Sequence, residues 1–170
     1  ASTTAALALG DALAVALLDA RGFGSADFAR SHPGGSLGRR LLTLVSDVMR
    51  TGDEIPTVPV ESRFADALIE ITRKRMGMVA VIDDRRRVHG IFTDGDLRRM
   101  LEKKGPIDPA NVGIRDVMTA SPVVIAPDAL AAEAVRIMEE RKIGQLLVVA
   151  ADGALAGALH FHDLLVAKVV

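Results

Sequence analysis

A chain of 170 residues is long enough to bury a hydrophobic core and to form one large or two small domains. Its formal net charge of −1 argues against broad electrostatic capture of nucleic acid or of an anionic membrane, so neither is expected as a partner. The sequence contains no Cys, no Trp and no Tyr. This composition excludes disulfide and thiol chemistry, fits a cytoplasmic protein, and disfavours aromatic stacking on single-stranded nucleic acid.

The first segment predicts an apolar helix over about residues 4–21, with N-cap candidates at 2–4 and a stop at Gly22. No basic stretch precedes it, and Asp11 and Asp19 interrupt it, so we expect neither a signal peptide nor a membrane span. Apolar side chains occupy nearly every face of this helix. Such a helix must be buried on more than one side. We therefore expect it to pack against a further protein body or another subunit, in a dimer or tetramer.

From residue 44 onwards the chain contains one pattern twice. The tripeptide Asp-Val-Met occurs at 47–49 and again at 116–118, 69 residues later. Further matches share an offset of 67 residues: Gly77 with Gly144, Gly90 with Gly157, and Asp96 with Asp163. A period this long, present twice, indicates a duplicated supersecondary unit rather than a solenoid.

Each copy predicts a β-α-β-β-α unit, so the expected fold class is mixed α/β. The strands are predicted at 57–60, 79–82 and 88–92 in the first copy and at 123–126, 146–150 and 154–159 in the second. The first helix of each copy has an apolar stripe and a polar residue before it that is suited to cap it. The stripes are Phe64, Leu68 and Ile71 after Ser62, and Ala131, Val135 and Met138 after Asp128.

This tandem arrangement, with DVM at the start of each unit and GIFTDGDL (90–97) near the end of the first, resembles a pair of cystathionine-β-synthase-type (CBS) modules. The resemblance implies modules at 44–104 and 114–170 joined by a linker at 105–113. It also implies that the two sheets pack on each other and that the clefts between the modules bind nucleotides.

The resemblance places the ligand at the end of the strand that carries GIFTDGDL. The Asp96 carboxylate is suited to accept hydrogen bonds from both hydroxyls of a ribose. The Thr93 hydroxyl and the backbone N–H groups of the following helix would donate to a phosphate, and Gly95 permits close approach. We expect further contacts from Asp94 and Arg98, and we expect the base to lie against the aliphatic side chains and the backbone of Met76, Gly77, Met78, Val79 and Ala80. Alternatively, Thr93 and Asp96 only cap the helix.

The second copy departs from this pattern, because His160 replaces the Thr while Asp163 is kept. Either this cleft is empty, or it binds a ligand with other anionic groups to which an imidazolium would donate. His160, His162 and Asp163 are also a possible transition-metal set, but three ligands on one turn do not converge by themselves. We expect no metal and no cofactor.

The segment SHPGGSLGRRL (31–41), directly before the repeat, resembles the end of a sugar-isomerase (SIS) domain. An SIS domain followed by a CBS pair is typical of D-arabinose-5-phosphate isomerases, which supply the lipopolysaccharide sugar Kdo. The resemblance implies that residues 1–43 are the helical tail of that domain. It also implies a catalytic role for His32, in ring opening or proton transfer, whereas the residues alone favour a helix C-terminal position. The family's other catalytic groups would lie upstream of Ala1, so we expect no turnover from this chain alone.

Three functions of the pair stay open at this stage. The general expectation for the family is an adenine nucleotide, AMP or ATP. Feedback on the first enzyme of a route favours its activated end product, CMP-Kdo, which combines a ribose diol, a phosphate and a carboxylate near Arg98 and His160. In the third alternative the pair binds no ligand and serves only to oligomerise the protein.

Overall fold

The computed structural model describes residues 2–23, 27, 42–104 and 108–170. Within these ranges it contains two three-stranded sheets and their helices. The helices are α1 (Ser2–Ala20), α2 (Phe64–Lys74), α3 (Asp94–Lys104), α4 (Ala131–Arg141) and α5 (Phe161–Val166). The strands are β1 (Thr57–Pro59), β2 (Met78–Ile82), β3 (Val88–Thr93), β4 (Val124–Ile125), β5 (Gln145–Val149) and β6 (Leu155–His160).

The two sheets have the same topology. In the first, β1 runs parallel to β2 and β2 runs antiparallel to β3, with Val79 opposite Phe92. In the second, β4, β5 and β6 repeat this arrangement, with Leu146 opposite Leu159, the residues 67 positions later. The predicted mixed α/β fold with two β-α-β-β-α modules is therefore confirmed.

Alternation along the central strands builds three hydrophobic cores. In β2, Val79 and Val81 pack with the helix α2 residue Phe64 in the core of the first module, while Met78 and Ala80 point the other way. Met78 and Ala80 share a core with residues of the second sheet, among them Leu147, Leu155 and Ala158. The two sheets thus pack face to face, which brings the strand ends of one module beside loops of the other.

The segments that lead into the two modules are exchanged between them; we call 43–50 and 112–119 the leading segments. Val45 is fully buried in the core of the second module, where its N–H donates to the Ala129 carbonyl at 2.8 Å. Ile114 is fully buried in the core of the first module, and its N–H donates to the Ser62 carbonyl at 3.0 Å. Each packed body is thus completed by the segment that precedes the other module in the sequence.

The predicted N-caps of α2 and α4 are wrong for the same reason. The capping positions are Arg63 and Leu130, not Ser62 and Asp128. The first amides of the two helices donate to carbonyls of the leading segments, Phe64 to Val112 and Ala131 to Thr43, each at 2.8 Å. Backbone from the exchanged segments therefore satisfies helix starts that a capping side chain would otherwise satisfy.

Helix α1 lies apart from these cores, and its apolar side chains are exposed, Leu9 and Leu7 by 72% and 66%. Among the described residues, the helical stretch Thr3–Ala20 is long enough and apolar enough to cross a membrane. A core helix of a larger body meets the same requirement, and Asp11 in mid-helix would be costly in a bilayer. Its burial against a further body stays a prediction.

Arg75, the residue directly after α2, is a position where a substitution should stabilise the protein. Arg75 follows α2 with φ of 53° in the left-handed region, which costs a side-chain-bearing residue about 1 kcal/mol. We expect Arg75→Gly to raise the free energy of unfolding by about 0.5–1 kcal/mol in urea titrations. The matched control is Arg73→Gly, inside the helix, which should lower it by about 1 kcal/mol. A lower stability of Arg75→Gly would contradict the assignment of strain to this position.

Candidate functional site

The end of β3 and the start of α3 form a closed hydrogen-bond arrangement around Asp96. Asp96 Oδ2 accepts from the Thr93 N–H at 2.9 Å and from the Thr93 hydroxyl at 2.7 Å. Asp96 Oδ1 accepts from Arg99 Nη2 at 2.5 Å. The Asp96 side chain is only 15% exposed, whereas that of Arg99 is 63% exposed. Thr93 and Asp96 therefore do begin the helix, and the exposed arginine is the one partner of Asp96 here that is free to move.

These residues also line a cleft of about 480 Å³ between the modules, a volume within the range of small-molecule sites, about 300–1,000 Å³. The first module contributes the β3–α3 turn. The second contributes the loop between α4 and β5, and the chain after the second leading segment completes the wall. The lining residues are Gly77, Ile91, Thr93, Asp94, Gly95, Asp96, Arg98, Arg99, Thr119, Ser121, Pro122, Val123, Lys142, Ile143, Gly144 and Gln145.

The structure brings together six of the residues expected at the site: Gly77, Thr93, Asp94, Gly95, Asp96 and Arg98. Of the five residues expected against the base, Gly77 lines the cleft, and the side chains of the other four lie elsewhere. Val79 is buried in the core of the first module, and Met76, Met78 and Ala80 are buried between the sheets, all at 1% exposure or less. Their side chains therefore do not form a wall of the cleft. His32 lies outside the described residues.

Sequence reasoning missed the half of the cleft that the second module provides. The loop 142–145 lines the cleft together with Gly77, and Thr119 and Ser121 line it as well. The repeat contains the signal that would have found this loop, because Gly144 corresponds to Gly77. Sheet-to-sheet packing places this equivalent loop across the cleft.

The equivalent strand end of the second module, the end of β6, lies outside this cleft, and its carboxylate Asp163 has a different partner. Asp163 Oδ2 accepts from the His160 N–H at 3.0 Å, as Asp96 does from Thr93. Both Asp163 oxygens also accept from the Arg50 guanidinium, from Nε at 3.1 Å and Nη2 at 2.9 Å. The side chains of Arg50 and Asp163 are 28% and 18% exposed. A cation from the first leading segment thus neutralises this carboxylate.

His160 is a hydrogen-bond acceptor in this structure. Its Nδ1 accepts from the His162 N–H at 3.0 Å, which requires that this nitrogen be unprotonated. Burial lowers the pKa of His160 below its ordinary value, and the attraction of Asp163 opposes this only in part. An imidazolium that donates to a ligand anion is therefore disfavoured at neutral pH. Within the described ranges, no group of three or more His, Asp or Glu side chains is arranged to hold a metal ion.

The pKa of His160 gives a prediction for stability against pH. Because the folded-state pKa lies below the unfolded value of about 6.5, the unfolded chain binds the proton first, and folding stability falls as the pH drops below about 6.5. We expect the melting temperature to fall less in His160→Gln than in the wild type between about pH 7.5 and pH 5.5. Parallel curves for the two proteins, measured by circular dichroism, would contradict this.

Comparison with known proteins finds one domain twice in the chain. The family model described as CBS domain matches residues 45–103 and 114–169. Arabinose 5-phosphate isomerase KdsD of Salmonella typhi is 55% identical over 170 residues, and that of Pseudomonas aeruginosa is 54% identical over 169. Each match covers 99% of this chain and 51% of the relative, so the chain spans about half the length of these proteins. The resemblance to this isomerase group is confirmed for the part of it that the chain spans.

Among solved structures, CBSX2 in complex with AMP superposes with a TM-score of 0.62 at 28% identity, covering 74% of this chain and 95% of that one. The chain therefore belongs to the CBS domain family and contains a tandem pair of these domains.

Proposed function

We propose that this chain is the nucleotide-sensing part of an arabinose-5-phosphate isomerase and that its ligand binds in the cleft at Asp96. The observation that carries the proposal is the composition of that cleft. A poorly exposed carboxylate and a hydroxyl from one module face a glycine-containing loop of the other across about 480 Å³. The AMP complex of CBSX2 supports a nucleotide as the class of ligand.

In this proposal Asp96 binds the ribose diol. Its Oδ1 is occupied by Arg99, but that side chain is largely exposed and is free to leave for the ligand phosphate. Lys142 and Arg98 line the same cleft and supply further positive charge. At the start of α3 the Asp94 N–H donates to the Gly77 carbonyl at 3.0 Å and the Asp96 N–H to the Thr93 hydroxyl at 3.2 Å, so these two groups would have to change partners to bind a phosphate. The base would lie toward Gln145, whose amide offers both a donor and an acceptor for its edge.

The ligand that best joins these groups to a role in the isomerase is CMP-Kdo, the activated end product of the route that the enzyme would start. It has a ribose diol for Asp96, one phosphate, and a sugar carboxylate for the basic side chains. AMP or ATP is the alternative, supported by the adenine nucleotide in CBSX2.

The remaining assignments rest on the sequence resemblance and are part of the proposal. Residues 1–43 would be the tail of an SIS domain, with His32 contributing to the isomerase site. The parent enzyme would interconvert ribulose 5-phosphate and arabinose 5-phosphate in the cytoplasm. The exposed α1 helix would be covered in a dimer or tetramer, because its apolar side chains would otherwise remain in water.

Calorimetric titration of the chain with CMP-Kdo, CMP, AMP and ATP tests the proposal. We expect CMP-Kdo to bind more tightly than the other three, with CMP retaining part of the affinity through its ribose and phosphate. Tenfold tighter binding of AMP or ATP would replace the feedback hypothesis by adenine-nucleotide sensing. If none of the four binds or raises the melting temperature, the pair serves only to oligomerise the protein.

A further inference from the structure

Arg50 and Thr119 occupy the same position in the two leading segments. Thr119 exchanges backbone hydrogen bonds with Ile91, N–H to carbonyl at 2.8 Å and 3.0 Å. Arg50 exchanges the same pair of bonds with Ala158 at 2.9 Å and 3.1 Å, and Ala158 is the residue that corresponds to Ile91. The backbones therefore present these two side chains to their clefts in equivalent places, and only the side chains differ.

The difference between Thr119 and Arg50 changes what the carboxylates of Asp96 and Asp163 contact. Thr119 lines the open cleft, and the cationic partner of Asp96 is the exposed Arg99 of its own helix. Arg50 instead binds Asp163 through two nitrogens, and both partners are less than one-third exposed. The residue that corresponds to Arg99 is Val166, so Asp163 has no such partner on its own helix.

We infer that Arg50 is the residue that determines which cleft takes a ligand. Its guanidinium takes both oxygens of Asp163 and so closes the cleft beside His160. The hollow of about 270 Å³ that Asp163 does line lies toward Asp47 and Val166 and includes neither Arg50 nor His160. The pair therefore binds one nucleotide, at Asp96. A diol at Asp163 would have to replace a two-point, charge-assisted contact with neutral hydroxyls, and would leave a partly buried guanidinium without its partner. The inference rests on the proposed function for the identity of the ligand, but the closure of the cleft does not.

The first test measures stoichiometry with AMP and with CMP by calorimetry. We expect one site per chain in the wild type and two in Arg50→Thr, which gives the second cleft the side chain of the first. The reciprocal variant Thr119→Arg should bring a guanidinium to Asp96 and weaken binding at least tenfold. A single site in Arg50→Thr, or two sites in the wild type, would overturn the inference.

The second test needs no nucleotide. Because the chain contains no cysteine, an introduced cysteine is the one thiol available for labelling. A single cysteine is introduced at matched positions, His160→Cys in one cleft and Thr93→Cys in the other. The rate of labelling by a bulky maleimide is divided by the rate for iodoacetamide, which cancels changes in thiol pKa. We expect this ratio to rise at least tenfold at position 160 when Arg50→Thr is added, and to fall similarly at position 93 when Thr119→Arg is added.

The two tests separate the possible failures. If neither AMP nor CMP binds the wild type while the labelling ratios change as expected, nucleotide binding is wrong and Arg50 still closes the cleft. If the wild type binds one nucleotide but the ratio at position 160 does not respond to Arg50→Thr, the proposed function stands and the role of Arg50 is wrong. Circular dichroism melts of all variants confirm that each is folded.

Discussion

Replacement of Asp96 by Ala is expected to weaken nucleotide binding about 100-fold, or about 2.7 kcal/mol. The carboxylate is 15% exposed and lies at the cleft between the modules, so its loss would leave two ribose hydroxyls without a charged acceptor. Titration calorimetry with the tightest ligand of the panel gives the measurement.

Asp96→Ala also removes the bond from the Thr93 N–H and thus a helix cap, so a matched control is needed. Asp66 makes the equivalent bond at the start of α2, accepting from the Arg63 N–H at 3.2 Å, and does not line the cleft. Asp66→Ala should cost a similar amount of stability, about 1 kcal/mol, and leave the affinity unchanged. Equal losses of affinity in both variants would mean that Asp96 acts only through the fold.

Gly157→Ala is expected to lower the free energy of unfolding by about 2–3 kcal/mol, a large effect for one methyl group. The leading segment 43–50 passes directly over β6 here, and a Cβ on Gly157 would lie 2.9 Å from the Arg50 carbonyl oxygen and against the Met49 sulfur. A backbone carbonyl that is bonded to Ala158 cannot move aside without loss of that bond. Urea unfolding measures the change.

Gly144→Ala is the matched control, because a Cβ there meets nothing within 4 Å and its φ is not in the left-handed region. It should change stability by less than about 0.5 kcal/mol. The equivalent variant of the first module, Gly90→Ala, should behave like Gly157→Ala, since its Cβ would lie 2.8 Å from the Thr119 carbonyl oxygen. If Gly157→Ala lowers the free energy of unfolding no more than Gly144→Ala does, the leading segment 43–50 moves to accommodate the methyl group, and the prediction is wrong.

The same close approach gives a physical reason for two features of the repeat. Asp-Val-Met begins each unit, and each unit has a glycine within its third strand, Gly90 in β3 and Gly157 in β6. Met118 lies over Gly90 and Met49 lies over Gly157, so the two features meet in space although they stand apart in sequence. Any side chain at the glycine would displace the methionine and with it the exchanged segment.

The sequence by itself determined what depends on local periodicity and on repetition. The apolar spacing on α4 predicted the buried Ala131, Val135 and Met138, and the short apolar runs predicted the central strands to within one residue at each end. The offset between the copies gave the duplicated module, and the turn 93–96 gave the acidic half of the site.

The tertiary structure alone decided whatever depends on contacts between the copies. The exchanged leading segments, and not Ser62 or Asp128, satisfy the helix starts. Loop 142–145 of the other module forms the second wall of the cleft, and Arg50 neutralises Asp163 from 113 positions away. Periodicity reports which face of an element is apolar, but it contains no information about which distant segment packs on that face. In this protein the different contacts of Asp96 and Asp163 come from those distant segments.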